Sequence, residues 1–204
     1  MNDFKVAVFA SGSGTNFQAM IDQVESGQLD VKIELLVCDR EGAPVIQRAH
    51  HAGIETLVLA PKSYATREAY ESVILERLQE KGIELIVLAG YMRLITAVLL
   101  DAFPLRIINI HPSLLPAFPG KDGVRDAWTY GAKVTGCTVH FVDAGVDTGP
   151  IIAQQVVEVR QDDTVQSLHE QIHQAEQAIY PRVIQWIREG RVSMEGRKVR
   201  IKEA

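Results

Sequence analysis

The sequence predicts an α/β fold: a doubly wound, mainly parallel sheet, with C-terminal strands extending it and a long C-terminal helix. Three observations carry this. Short β-rich runs alternate with helical periodicities from residue 5 to residue 111; the run Leu85–Ala89 is wholly apolar; and the pattern changes character after Pro112. Alternation with short connections implies parallel strands joined by right-handed crossovers. A continuous apolar strand is what a sheet covered on both faces requires.

Lys5–Ala10 is the first strand, broken by Ser11-Gly12-Ser13-Gly14-Thr15-Asn16. Phe17, Met20, Ile21 and Val24 then recur at helical spacing and stop before Gly27. Val31–Cys38 is a second strand, Pro44 to about His51 a helix closed by Gly53, and Thr56–Leu59 a third strand. Thr66 caps a long helix that places Tyr70, Val73, Ile74 and Leu78 on one face and ends at Gly82. The strand Leu85–Ala89, a short helix Ala97–Ala102 and the strand Arg106–His111 complete this half.

Residues 112–133 are rich in Pro and Gly and read as a long loop with a short helix near Val124–Tyr130. Long ordered loops in compact domains are often functional. Val134–Val142 and Pro150–Val159 are strands joined by the turn Asp143–Gly149. Asp162, Asp163 and Thr164 open a helix to about Glu189, which Pro181 is expected to kink or restart. Val192–Met194 and Val199–Lys202 form a terminal hairpin around Glu195-Gly196. The expectation is one domain over residues 1–204, with a βα half over 1–111 and a catalytic half over 112–204.

Apolar residues make up 47% of the 204 and charged residues 23%, enough for a sizeable core and not the composition of a disordered chain. The formal charge of −5 offers no global attraction to nucleic acid or anionic membrane. Any anionic ligand must be held locally. Cys38 and Cys137 have no metal-like spacing and read as reduced, buried thiols. The N-terminal residues lack the pattern of a secretion signal, so a cytoplasmic location is expected.

Ser11–Asn16 lies between strand and helix, where two glycines let a ligand approach the backbone and helix-terminal amides face an anion. Phe17 replaces the third glycine of a dinucleotide fingerprint and no Lys-Ser/Thr follows Gly14, so a phosphate monoester fits better than a pyrophosphate. A plain turn with a helix cap is the competing reading. Asn109 and His111 share one face of a strand that ends at Pro112, on the carboxyl edge where open α/β sheets bind ligands. An amide donor beside an imidazole suits acyl chemistry, with Asn109 stabilising an oxyanion and His111 moving protons. Asp143 reads as a local turn cap, whereas Asp147, if its turn folds back to the sheet edge, would orient His111 and support a charge on it.

His169-Glu170-Gln171-Ile172-His173 matches the helical H-E-x-x-H zinc signature. The helix's apolar stripe runs through Val165, Leu168, Ile172, Ile179 and Val183, the histidines only flank it, and no third ligand follows. No metal is expected. Glu176 falls inside that stripe, so it is either paired structurally or bonded to ligand hydroxyls. Gly90–Ile95 follows the apolar strand, where Arg93 would hold a carboxylate and the backbone a planar ring. His50, His51 and the basic tail 197–202 read as solvated surface.

These landmarks, SGSGTN, REAY at 67–70, LAGYMRLI at 88–95, INIHPSLLPAFPGKD at 108–122, VHFVDAGVDTGPII at 139–152 and AEQAIYP at 175–181, resemble the phosphoribosylglycinamide formyltransferases over essentially the whole chain. The resemblance implies the formyltransferase fold with a Rossmann-like N-terminal half, and formyl transfer from 10-formyltetrahydrofolate to glycinamide ribonucleotide in purine synthesis. It assigns Asn109, His111 and Asp147 as the catalytic trio. Gly14, Thr15 and Asn16 would hold the substrate phosphate and Glu176 the ribose hydroxyls. Arg67, Met92, Arg93, Leu94, Ile95 and Asn109 would bind the folate. Partners are then small molecules only, with the protein a monomer or homodimer. A 10-formyltetrahydrofolate hydrolase using the same trio is the alternative; it and the relatives acting on tRNA carry extra domains for which this length is expected to leave no room. A non-catalytic nucleotide-binding module would leave the trio unexplained. Both implied substrates are anionic, which a chain of charge −5 accommodates only through local devices.

Overall fold

The computed structural model describes residues 3–203. Nine strands and six α-helices are found among them, and they fall into two compact units divided between Ile108 and Asn109. Seven strands form one sheet in the order β3 (Glu55–Val58), β2 (Lys32–Cys38), β1 (Lys5–Ala10), β4 (Leu85–Leu88), β5 (Ile107–His111), β6 (Val134–Phe141) and β7 (Ile151–Glu158), and β8 (Val192–Glu195) and β9 (Lys198–Ile201) form a separate hairpin.

The first unit contains β1 (Lys5–Ala10), α1 (Thr15–Glu25), β2 (Lys32–Cys38), α2 (Pro44–His51), β3 (Glu55–Val58), α3 (Arg67–Lys81), β4 (Leu85–Leu88) and α4 (Ala97–Ala102). β1 pairs in parallel with β2 on one side and with β4 on the other. The strand order therefore reverses at β1, which makes the gap between the ends of β1 and β4 the topological switch point, the usual ligand crevice of an open α/β sheet. Val6–Ala10, Leu35–Cys38 and Leu85–Val87 are buried and form the centre of this unit's core.

Most expected elements stand within a residue or two of their expected limits. A 3₁₀ turn over Pro61–Ser63 was not expected. The α3 face is also a correction, because Val73 is exposed while Glu71 is buried. Burial of that carboxylate has a local cause. The Thr96 backbone N–H and hydroxyl both donate to it, at 3.0 and 2.7 Å, which ties α3 to the start of α4. Burial pushes the Glu71 carboxyl up, against the opposing effect of the Thr96 donors. Glu71→Ala is expected to destabilise by about 1–3 kcal/mol in urea unfolding by stranding the Thr96 N–H, whereas Glu71→Gln, which keeps an acceptor, costs less than about 1 kcal/mol.

The second unit contains the end of β5 (Ile107–His111), α5 (Gly123–Tyr130), β6 (Val134–Phe141), β7 (Ile151–Glu158), α6 (Val165–Arg188), β8 (Val192–Glu195) and β9 (Lys198–Ile201). β6 and β7 are antiparallel. α6 is one continuous helix, so Pro181, expected to kink it or start a new segment, starts no new segment and is buried within it. Thr164 caps it through a reciprocal bond with Ser167. Leu168, Ile172, Ile179 and Val183 are buried along its stripe, joined by Glu176 as the periodicity required. Cys38 and Cys137 are buried free thiols, and burial pushes Cys137 up to about 12. No helix among the described residues is long and apolar enough to cross a membrane.

Candidate active site

In the first unit the candidate residues gather at the switch point. Gly14 ends the β1–α1 loop as the N-cap of α1, with a φ of +72°. A side chain there would lie 2.4 Å from Cγ2 of Val45 in α2, so glycine is required by both conformation and space. Thr15 and Asn16 are the first residues of α1 and are half-buried. The loop is fastened by the Val45 N–H to the Gly12 carbonyl at 3.2 Å and by Arg48 to the Ser13 carbonyl at 2.8 Å. Arg48 also donates to Gln18. It sets a cation beside the loop that sequence reading passed over, since an Arg on a neighbouring helix carries no motif.

Across the switch point, the Ser11 N–H donates to the Gly90 carbonyl at 3.2 Å and the Ser11 hydroxyl accepts from the Met92 N–H at 3.0 Å. The two candidate loops are thus joined. Residues 91–96 have no regular structure and display Met92 and Leu94 to solvent, while Ile95 is buried. Arg93 lies 3.7 Å from Asp39 and over the Tyr70 ring at 5.7 Å. The Tyr70 and Tyr91 hydroxyls meet at 3.0 Å, and burial pushes the Tyr70 phenol up to about 12. Two exposed apolar side chains flanking a braced guanidinium make a surface suited to a planar ring carrying a carboxylate. Arg67, at the start of α3, is exposed.

In the second unit the structure brings His111 and Asp147 together. Nδ1 of His111 lies 3.4 Å from Oδ2 of Asp147, and its Nε2 lies 2.8 Å from the Phe118 carbonyl. Asp147 and Phe118 have φ values of +53° and +51°, two of the three non-glycine residues in that region among those described. Backbone strain therefore concentrates on the two acceptors of one imidazole. The Gly120 N–H donates to Asp147 at 2.8 Å. Burial would raise the Asp147 carboxyl; the His140 ring, the Gly120 N–H and the charge of His111 outweigh it and hold Asp147 below the usual carboxylate range. Asp143 is the local cap expected, accepting from the Gly145 N–H and the Thr148 hydroxyl.

Among the hydrogen bonds of the described residues, none joins the Asn109 side chain to His111. Nδ2 of Asn109 lies 3.3 Å from Nε2 of His140, which is itself 3.7 Å from Asp147. His140 is buried and completes the cluster. Sequence reading missed it, although a histidine inside the apolar run Thr138–Val142 was a visible signal. Gly123 opens α5 so close to His111 that a Cβ would stand 3.0 Å from Nε2. The loop after His111 is stapled down by Thr138, which donates to the Ser113 carbonyl and accepts from the Leu115 N–H, and by Gln154, which donates to the Leu115 carbonyl. Those bonds satisfy the backbone of a loop that buries Ser113 and Leu115. Arg197, read as solvated surface, instead donates to the Thr148 carbonyl and braces the Asp147 turn from the terminal hairpin.

Glu176 is buried on α6 and accepts from Nδ1 of His173 at 3.0 Å. The rings of His169 and His173 stack at 6.1 Å between centroids. Among the described residues no group of three or more His, Cys, Asp or Glu side chains is placed to hold a metal ion.

A family profile described as Formyl transferase matches residues 4–184. The chain belongs to the formyl transferase family. Within it, the chain is 51% identical over 180 residues to the phosphoribosylglycinamide formyltransferase of Bacillus subtilis (strain 168), covering 88% of this chain and 92% of that one. It is 38% identical over 190 residues to the trifunctional purine biosynthetic protein adenosine-3 of Homo sapiens, covering 93% of this chain and 19% of that longer protein. The crystal structure of glycinamide ribonucleotide transformylase 1 from Symbiobacterium toebii matches with a TM-score of 0.96 at 48% identity, covering 98% of this chain and 95% of that chain. The family profile stops before β8, so the hairpin that carries Arg197 lies beyond it.

Proposed function

We propose that this formyl transferase moves the formyl group of 10-formyltetrahydrofolate to the amine of glycinamide ribonucleotide, giving formylglycinamide ribonucleotide and tetrahydrofolate. The observation that carries the reading is the His111–Asp147 pair with the Asn109 amide held beside it, a donor and a proton carrier of the kind acyl transfer needs. In this reading the acceptor amine forms the new N–C bond while the bond from the formyl carbon to the folate nitrogen breaks. The amine's proton passes, through water or His111, to that leaving nitrogen. Asn109 and a protonated His111 meet the negative charge that grows on the formyl oxygen, and Asp147 balances the imidazolium. His111 reaches that oxygen by exchanging the Phe118 carbonyl for it at Nε2. No step needs a metal or nicotinamide.

The remaining assignments follow the same reading. Gly14, Thr15 and Asn16 take the acceptor's phosphate at the start of α1, with Arg48 adding a nearby cation. Glu176 takes the ribose hydroxyls. Arg67, Met92, Arg93, Leu94, Ile95 and Asn109 hold the folate, the exposed Met92 and Leu94 covering its ring system. The 204 residues act as one catalytic domain on small molecules in the cytoplasm.

The deciding measurement follows folate absorbance with and without glycinamide ribonucleotide. Release of tetrahydrofolate that depends on the acceptor is the expected result. Equal formate release in its absence would assign the chain to hydrolysis instead.

A further inference from the structure

His140 has no role in the mechanism above, yet it occupies the centre of the cluster. Its Nδ1 lies 2.7 Å from the Phe141 carbonyl, which can only accept, so Nδ1 carries a proton. In the neutral ring Nε2 is then a lone pair, whereas a second proton there would be directed at Asp147, the form in which the ring lowers that carboxyl. That lone pair faces Asn109 Nδ2 at 3.3 Å and Asp147 Oδ1 at 3.7 Å, so the nearer neighbour is a donor. An amide turned over would set its oxygen against the same lone pair and be repelled. We propose that His140 is a positioning residue for Asn109: fixed by the Phe141 carbonyl, it holds the Asn109 amide with its NH₂ group, rather than its oxygen, at the nitrogen that also faces Asp147.

The consequence for the reaction is specific. An amide has two donors on one side and none on the other, and the two orientations are nearly the same shape. With one N–H of Asn109 committed to His140, the second N–H is free to meet the formyl oxygen as charge develops. Without His140 the side chain divides between an orientation that presents a donor and one that presents an acceptor. The surroundings keep the lock in place. Gly149 brings the chain so close to Phe141 that a Cβ would lie 1.7 Å from its carbonyl oxygen, and the His140 ring is buried on β6. The inference rests on the formyl-transfer reading, because it gives Asn109 its task.

The test is a double-mutant cycle of His140→Leu with Asn109→Ala, read as kcat and KM separately. His140→Leu alone is expected to lower kcat by about 10- to 100-fold, less than or equal to the cost of losing a whole oxyanion donor, with KM for both substrates within about threefold. In the Asn109→Ala background the same substitution is expected to change kcat by less than about threefold, since its target is gone. His140→Gln, which places an amide oxygen near the position of Nε2, is expected to recover most of the loss. Equal losses in both backgrounds, or no loss in either, would overturn the proposal. Should His140→Leu fail to fold, the imidazole nitrogen shifts of the unsubstituted protein decide: a protonated Nδ1 with a bare Nε2 supports the lock, and a protonated Nε2 overturns it. An unsubstituted protein that transfers no formyl group would overturn the functional reading instead, leaving the nitrogen shifts to judge His140 independently.

Discussion

Asp147→Asn is expected to lower formyl transfer by about 10²–10⁴-fold without unfolding the protein, the range a positioned acid–base group supplies. The substitution is informative because so little else changes. Asparagine tolerates the left-handed backbone that Asp147 adopts at φ +53°, and its amide oxygen still accepts from the Gly120 N–H. What disappears is the negative charge 3.4 Å from His111 Nδ1. His111→Ala is expected to cost as much, and the two losses to overlap in the double variant because the residues act as a pair. Near-normal turnover in both single variants would remove the pair from the mechanism.

The same carboxylate makes a prediction about acid. Its folded-state value lies below the ordinary one, so it binds its proton more weakly folded than unfolded. The stability it contributes is therefore fully present above the unfolded value of about 3.9 and is lost as the pH falls through the lower folded value. Urea midpoints of the unsubstituted protein and Asp147→Asn, followed from pH 7 downward, should converge on acidification. A gap that widens with acid would contradict the direction of the shift.

Gly149→Ala is expected to be the most damaging single-methyl change outside the trio. Its Cβ would stand 1.7 Å from the Phe141 carbonyl oxygen and 2.7 Å from the carbonyl carbon, both backbone atoms that cannot swing away. Overpacking of this kind costs about 1–3 kcal/mol and at times more. It also moves the carbonyl that fixes His140. Thermal unfolding should show a loss of several degrees, and kcat should fall further than the loss of folded protein explains. Gly27→Ala, open to solvent but at φ +74°, serves as a comparison in which only stability changes.

Much of the fold was legible because local rules and tertiary packing agree over β1, α2 and α4, whose limits follow from punctuation by Gly, Pro and a capping Thr. Where they disagreed, packing won. Val73 has the right spacing for the core and is exposed, while Glu71 is buried because α4 brings Thr96 donors to it. Pro181 lies within one helix whose neighbours Tyr180, Val183 and Ile184 are all buried, so packing along α6 holds it together through the missing N–H. The site divides the same way. The spacing of Asn109 and His111 on one strand, and the glycines before α1, are read directly from the residues. That Asp147 meets His111 depends on a turn with a left-handed residue, which residue types permit but do not dictate.

Sequence alone determined the α/β class, the candidate loops at the ends of β1 and β4, and the amide and imidazole that Asn109 and His111 offer on one strand, because periodicity, turn residues and donor types are local properties. Only the tertiary structure decided that Asn109 is held through His140, that Arg48 fastens the Ser13 carbonyl, and that Arg197 braces the Asp147 turn. Each is a contact between residues 31 to 49 positions apart, and contact at such separations is fixed by how strands and helices pack rather than by the residues between them. The charge of −5 shows the same division: it implies that any anionic ligand must be held locally, and the fold sets Gly14 at the start of α1 and Arg93 in the residues after β4.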